Sequence, residues 1–153
     1  MSAERFTLDT NILVYSVDSK AGTRHMLALE IVNLAVERDC CLTLQALSEF
    51  YAAVTRKGIV PPMEAAAQAE DWLEIFPAAA ASQTSVKAAL ASVASGRASY
   101  WDALLLATAA EAGCTTILTE DLSDGSTFDG VRIHNPFARN GLSGPARRLL
   151  SVK

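Results

Sequence analysis

The chain has 153 residues, of which 50% are hydrophobic and 20% are charged, and its formal net charge at pH 7 is −4. This size and composition predict one globular domain whose core needs no disulfide or structural metal, and they leave little room for a second domain. The apolar runs fall well short of the roughly 20 residues that cross a bilayer, and residues 1–10 lack the hydrophobic region of a signal peptide. We therefore expect a soluble, cytoplasmic protein that does not associate with membranes.

The cysteines and histidines argue against a disulfide-stabilised protein and against a zinc site. Cys40, Cys41 and Cys114 form an odd set in which no cysteine has a histidine at zinc-ligand spacing, so they are expected to be buried and reduced. With only two histidines in the chain, a histidine-rich zinc site is also disfavoured. The acidic balance does not exclude a nucleic-acid partner, because two bound divalent cations would offset a net charge of −4.

The first predicted elements alternate between strand and helix. Residues 5–8 are predicted to form a short strand that ends at the turn-forming residues 9–11, which are Asp, Thr and Asn. Apolar residues at helical spacing predict an amphipathic helix over residues 23–38, and residues 40–44 are predicted to form a second strand.

The next helix is predicted from the stripe formed by Leu47, Phe50 and Val54. Glu49 lies off this stripe and has alanines at the i−3 and i+4 positions, so its carboxylate is free to reach a cleft along that side of the helix. The pair Pro61-Pro62 is predicted to open a further helix that runs to about Ile75.

The second half of the chain continues the alternation. A short strand is predicted over residues 76–81, followed by a helix around residues 86–93. Ser99 is predicted to begin a buried helix over residues 100–112 with Asp102 in its first turn, and residues 115–118 and 131–134 are predicted strands. The turn pair Asp129-Gly130 introduces the last of them.

Alternating strands and helices predict an α/β domain with a short, mostly parallel central sheet and helices on both faces. Ligands of such sheets gather at the carboxyl ends of the strands, where Asp9 and Asp121 fall. We assign this domain to residues 1–137. Residues 138–153 are rich in Gly, Ser, Pro and Arg and are predicted to form a basic C-terminal appendage.

Four acids stand in or beside apolar sequence, namely Asp9, Glu49, Asp102 and Asp121. A lone ionised carboxylate near a core is unfavourable, so this repeated placement indicates that the four converge on a positive charge. Hard oxygen ligands favour Mg²⁺ or Mn²⁺ over zinc. The sequence therefore predicts a divalent cation site.

The short segments around these four acids, in this order, resemble those of PIN domains, and more narrowly those of the VapC-type toxins of type II toxin-antitoxin modules. The resemblance covers about Arg5 to Phe137 and rests on residues 9–11, Glu49, residues 100–103 and residues 119–122, together with the closing strand after Asp129-Gly130.

The resemblance implies an endoribonuclease that uses one or two Mg²⁺ or Mn²⁺ ions to hydrolyse RNA phosphodiesters, leaving a 5′-phosphate and a 3′-hydroxyl. It implies an RNA substrate, a cognate antitoxin protein and a homodimer. The implied roles are catalysis and metal binding for Asp9, Glu49, Asp102 and Asp121, and support for Asn11, Thr119 and Asp124. Arg56 and Lys57 are candidates for contacts with RNA phosphates.

Other interpretations stand beside this one. Ser99 and Asp102 match a helix capping box, in which the Asp102 carboxylate accepts from the Ser99 backbone amide, and Asp124 beside Gly125 suits an ordinary turn. An aspartyl-phosphate phosphatase also uses an aspartate after its first strand, but it normally has a second acid where Asn11 stands. A non-catalytic PIN-like module that binds RNA or protein is the third interpretation.

Overall fold

A computed structural model describes residues 4–152, and within them strands and helices alternate in an α/β fold. The seven helices of this range are α1 Thr10–Val17, α2 Thr23–Ala35, α3 Leu44–Arg56, α4 Pro62–Ile75, α5 Gln83–Ala94, α6 Tyr100–Glu111 and α7 Gly144–Leu149. The strands are β1 Phe6–Leu8, β2 Leu42–Thr43, β3 Ala78–Ala79, β4 Thr116–Leu118, β5 Thr127–Phe128, β6 Val131–His134, β7 Phe137–Ala138 and β8 Gly141–Leu142.

The central sheet is mostly parallel, as predicted. Its strand order is β1-β4-β6-β5, with β1, β4 and β6 parallel and β5 antiparallel at the edge. On the other side of β1, the backbone N–H of Cys41 donates to the Phe6 carbonyl at 2.9 Å, which brings the β2–β3 pair alongside the sheet. The carboxyl ends of β1 and β4 therefore lie side by side.

Helices cover both faces of the sheet. Successive side chains of a strand point to opposite faces, so Leu118 and Ile117 of β4 belong to two different core clusters. Leu118 packs in the larger cluster with residues of α1 to α4 and α7, whereas Ile117 and Ile133 pack with residues of α5 and α6. The apolar sequence of α6 is explained by this position, because its residues 103–109 are all buried.

The first helix differs from the sequence prediction. Residues 9–11 were expected to form a turn, but α1 begins at Thr10 directly after β1. Asp9 has extended backbone and its carboxylate accepts from the Thr10 backbone N–H at 2.7 Å, which caps the helix. The same residue types favour turns and N-caps, and here the cap is formed.

The edge of the sheet contains a hairpin that was only half predicted. Asp129 and Gly130 both have positive φ, 51° and 82°, and join β5 to β6 as a two-residue turn. The turn and β6 were predicted, but β5 has only two residues and carries no strand pattern of its own. The strand predicted over residues 76–81 is similarly short and consists of β3 alone.

The C-terminal stretch, predicted to be an appendage, packs against the larger core cluster. Leu142 of β8 is 8% exposed, and Ala146 of α7 and Leu150 are fully buried. The Arg38 guanidinium donates to the Leu150 carbonyl at 3.0 Å and ties this segment to the end of α2. Scattered small and apolar residues within a polar stretch give no periodic signal, although together they bury a face of the segment.

The described residues contain free cysteines and no membrane-spanning helix. Cys40, Cys41 and Cys114 are buried and carry free thiols, as expected for residues that pack like small hydrophobic side chains. Within residues 4–152, no helix has both the length and the apolar character needed to cross a membrane.

Candidate active site

The site lies where β1 and β4 end. Asp9 follows β1 directly and its backbone N–H donates to the carbonyl of Leu118, the last residue of β4, at 3.0 Å. Thr119 and Asp121 follow β4 within three residues. Parallel pairing of the two strands therefore places Asp9 and Asp121 at one edge of the sheet, as the sequence analysis expected.

Helices α3 and α6 bring the other two acids to the same place. Glu49 and Asp102 line one cleft with Asp9 and Asp121, and its volume is about 520 Å³. Of the other predicted residues, Asn11, Arg56 and Lys57 also line it. The complete lining is Asp9, Thr10, Asn11, Val14, Tyr15, Glu49, Ala52, Ala53, Arg56, Lys57, Asp102 and Asp121.

Asp9 is the most buried of the four acids, with 8% of its surface exposed. Its two carboxylate oxygens accept hydrogen bonds from the Thr10 backbone N–H and from the Thr119 hydroxyl, each at 2.7 Å. The pKa of Asp9 is raised to about 6, mainly because burial disfavours the charged form. The two hydrogen bonds oppose this rise, and the charges of Asp121 and Glu49 add to it. The ionised form of Asp9 is therefore disfavoured by burial and, to a lesser extent, by the negative charges beside it.

Thr119 connects the acids at the strand ends. Its side chain is fully buried, and its hydroxyl donates to Asp9 while it accepts from the Asp121 backbone N–H at 3.1 Å and from the Asn11 amide at 3.3 Å. The same Asn11 amide nitrogen also donates to the Asp121 carboxylate at 2.9 Å. The predicted supporting residues Asn11 and Thr119 thus hold Asp9 and Asp121 in place.

Glu49 is positioned by hydrogen bonds from two neighbours. The Thr10 hydroxyl donates to one carboxylate oxygen and the Gln45 amide donates to the other, both at 3.2 Å. The Gln45 amide nitrogen also donates to the Trp101 carbonyl at 2.9 Å, which links α3 to the first turn of α6. This connection fixes Glu49 relative to the helix that carries Asp102.

Asp102 combines a capping contact with a position in the cleft. Ser99 is the N-cap of α6, and its hydroxyl lies 3.3 Å from the Asp102 backbone nitrogen, which donates to it. The hydroxyl in turn donates to Oδ2 of Asp102 at 2.9 Å, so the carboxylate contacts the Ser99 side chain and not the backbone amide of the predicted capping box. The cap and the cleft position coexist.

Asp124 lies apart from the cleft. Its carboxylate accepts from the Asn135 backbone N–H at 2.8 Å and lies 3.8 Å from the imidazole nitrogen Nδ1 of His134. These contacts fasten the loop after β4 to the end of β6, which agrees with the alternative prediction of a turn residue. Asp124 does not line the cleft, so its implied supporting role at the site stays a prediction.

Tyr15 was missed by the sequence analysis although it lines the cleft. It lies one helical turn after Asn11 on the same face of α1, a relation visible only once α1 is recognised as a helix. The Tyr15 hydroxyl donates to Glu120, which also pairs with Arg24 at 2.8 Å, and burial and Glu120 raise the pKa of Tyr15 to about 12. Tyr15 is therefore a neutral hydrogen-bond donor at neutral pH.

The chemistry of the donors fits a hard divalent cation. All four acids offer carboxylate oxygens. Two neighbouring side-chain oxygens, Oδ1 of Asn11 and Oε1 of Gln45, are buried and have no hydrogen-bond partner among residues 4–152. In the conformation described for residues 4–152, however, no three Asp, Glu, His or Cys side chains are arranged to hold a metal ion.

Comparison with known proteins agrees with this architecture. The model of the PIN domain family matches residues 6–123. VapC20 of Mycobacterium tuberculosis, described as a sarcin-ricin loop cleaving toxin, superimposes with a TM-score of 0.61 and 15% identity over 76% of this chain and 91% of its own.

Two toxin-antitoxin structures are similar to the same degree. The DNA-bound VapBC complex of Salmonella typhimurium has a chain with a TM-score of 0.61 and 18% identity, covering 86% of this chain and 97% of its own. A toxin-antitoxin complex from Klebsiella pneumoniae has a chain with a TM-score of 0.61 and 21% identity, covering 89% and 98%. At these identities the likeness concerns the fold. No protein with a curated function matches the sequence significantly.

Proposed function

The chain belongs to the PIN domain family, and we propose that it is a metal-dependent endoribonuclease that acts as the toxin of a toxin-antitoxin pair. The observation that carries this proposal is that acids from four separate elements line one cleft, with two basic residues in the same lining. Carboxylates gathered in this way repel one another and a phosphate, so the arrangement is useful only when a cation neutralises them.

Asp9, Glu49, Asp102 and Asp121 would hold one or two Mg²⁺ or Mn²⁺ ions. When bound, such an ion acidifies a water and neutralises charge that develops on the phosphate. The chain's own groups prepare the site for this. Asp9 has a pKa near 6 and is mostly ionised at neutral pH. Thr119 and Asn11 keep the Asp9 and Asp121 carboxylates at one end of the cleft.

Arg56 and Lys57 would bind the RNA backbone. Both lie at the C-terminal end of α3, two turns beyond Glu49, and line the cleft. A guanidinium forms two parallel hydrogen bonds to a phosphate, and an ammonium acts as a point charge. These two cations would hold phosphates next to the acids and orient the scissile bond for hydrolysis.

The acidic cleft also indicates what kind of protein could inhibit the enzyme. An acidic cleft favours a protein segment with basic side chains, so we propose that a cognate antitoxin inhibits the enzyme by placing such a segment between the four acids. The similarity to chains of complexes described as VapBC and as toxin-antitoxin supports this proposal. A homodimer is proposed from the family resemblance and is tested by light scattering at micromolar concentration.

Cleavage of RNA by the purified protein tests the enzyme proposal. End-labelled cellular RNA is incubated with Mg²⁺, with Mn²⁺ or with chelator, using the wild type and the Asp9→Asn and Asp121→Asn variants. We expect discrete fragments that require metal, and at least a 100-fold lower rate in each variant, because removing one donor from a preorganised charged site has effects of that order.

The matched control is Asp71→Asn, the same chemical change at an exposed position of α4 outside the cleft. It should cleave like the wild type. Equal cleavage by the wild type and both cleft variants would refute the assignment of the site.

The alternative is a non-catalytic module that binds RNA or protein. It is favoured by one observation, the absence within residues 4–152 of three acids arranged to hold a metal. RNA binding without metal-dependent cleavage, together with an unfolding midpoint that Mg²⁺ and Mn²⁺ do not change, would support this alternative against the enzyme.

A further inference from the structure

A second cavity adjoins the cleft at Asp102. Its volume is about 310 Å³, near the lower end of the range of small-molecule sites, and Asp102 lines both it and the acidic cleft. The remaining lining comes from the segment before α6, from α6 itself, from the loop after β4 and from the β5–β6 hairpin. A ligand that spans the two cavities must therefore pass Asp102.

The floor of this cavity is apolar and its rim is polar. Leu106, Phe128 and Ile133 are at most 8% exposed, and each still presents part of its surface to the cavity. Ser123 and Thr127 are exposed at the rim and offer hydroxyl groups. An apolar slot with hydrogen-bonding groups at its edge fits a flat heteroaromatic ring.

Arg97 supplies a stacking surface at the same cavity. Its guanidinium carbon lies 4.7 Å from the centroid of the Phe128 ring, within the range of a cation–π contact. The contact holds a planar, charged group at the cavity wall while the side chain remains exposed. Guanidinium planes stack on nucleobases and their N–H groups donate to base edges or phosphates.

We propose that this cavity, the base pocket, binds an unpaired nucleobase of the RNA next to the phosphodiester that is cut in the acidic cleft. The inference rests on the proposed function and adds to it a subsite for the nucleotide next to the cut. In a duplex, a base is stacked and paired and cannot enter a protein pocket without leaving the helix. Arg97, Phe128 and Ser123 are then specificity-determining residues.

The test uses an RNA that the wild type cleaves, with an abasic nucleotide placed at each of the two positions flanking the cut. In the wild type, one abasic substitution should raise KM roughly tenfold or more, as expected when a stacked base is lost, with kcat less affected. In Arg97→Ala and in Ser123→Trp, which fills the pocket from its exposed rim, the same abasic substitution should have little effect.

The control is Arg139→Ala, an exposed arginine of the β7–β8 turn that lines neither cavity. It should keep the full abasic effect of the wild type. Arg97 is exposed, so its variant is expected to fold, and its abasic comparison stands even if Ser123→Trp unfolds.

The outcomes separate this inference from the proposed function. If the wild type cleaves RNA but all proteins respond alike to the abasic substitutions, the base pocket is refuted and the nuclease stands; a pocket for a protein side chain would give this result. If the wild type cleaves no RNA, the nuclease fails, and the pocket is judged by fluorescence anisotropy with a single-stranded RNA oligonucleotide and its abasic counterparts. Equal affinities for intact and abasic RNA, or no binding, would then overturn it.

Discussion

Asp9→Asn should stabilise the metal-free protein at neutral pH. The wild-type carboxylate is 8% exposed, and burial together with the charges of Asp121 and Glu49 raises its pKa from 3.8 to about 6. Between pH 3.8 and about pH 6, the folded state therefore still binds a proton on Asp9 that the unfolded chain has already lost. The amide has the same shape but carries no charge at any pH.

The sign and size of the change in the free energy of unfolding follow from proton linkage. Stability from protonated Asp9 is fully present below pH 3.8 and is lost as the pH rises through about 6, because the unfolded state ionises first. At about 1.4 kcal/mol per pH unit, the difference between the two pKa values corresponds to roughly 3 kcal/mol. The wild type should lose this amount relative to the variant between about pH 4 and pH 7.5.

The loss of one hydrogen bond in the variant opposes this stabilisation at every pH and is smaller. The Thr119 hydroxyl donates to Asp9 and already accepts from Asn11 and from the Asp121 backbone N–H. An amide NH₂ at position 9 would present a third donor to an oxygen with two lone pairs, so one hydrogen bond is lost, at about 1 kcal/mol. The variant should then be about 2 kcal/mol more stable than the wild type at pH 7.5.

Urea unfolding in chelator between pH 4 and pH 7.5 measures this difference, with the fluorescence of the buried Trp72 as the signal. Since wild type and variant share all other titrating groups, their difference isolates Asp9. Asp71→Asn should follow the wild type. A difference that stays constant across this pH range, or a wild type that gains on the variant as the pH rises, would refute the account of Asp9.

Three further predictions concern other parts of the structure. Thr119→Val removes a buried hydroxyl with three hydrogen bonds and should lower the free energy of unfolding by about 1–3 kcal/mol and slow RNA cleavage at least tenfold, measured by urea titration and cleavage rate. Leu150→Ala removes a fully buried side chain and should destabilise by about 2–5 kcal/mol, whereas an appendage would tolerate it. The double variant Arg56→Gln and Lys57→Gln should weaken RNA binding and flatten its salt dependence by about 1.4 in the log–log slope.

The α/β class and the positions of the four acids could be predicted because each rests on a local signal. Asp9 and Asp121 follow short apolar strands, and parallel strands bring such ends together whatever the rest of the chain does. Glu49 was placed by its offset from an apolar helix stripe, and Asp102 by its position after a helix cap. These relations span fewer than ten residues, so they do not depend on how distant parts of the chain pack.

The contacts that organise the site could not be predicted in this way. Thr119 bonds to Asp9 across 110 positions, and Tyr15 reaches Glu120 across 105, so neither has a pattern in the sequence around it. Glu120 lies next to Asp121 in the sequence, and its side chain is only 16% exposed because Arg24 and Tyr15 cover it. Tertiary packing decides these cases, and a single sequence carries no signal for it.

Capping and candidate catalysis depend on the same side chains in this fold. Asp9 is the N-cap of α1, and Asp102 bonds the cap of α6, so two helix N-termini carry acids that line the cleft. The positive ends of the helix dipoles partly offset the negative charge gathered there. Substitution of Asp9 by alanine would therefore remove a helix cap, typically about 1 kcal/mol, as well as a charge. Isosteric amides keep most of the capping geometry, and for this reason they separate the role of charge from the stability of the helix.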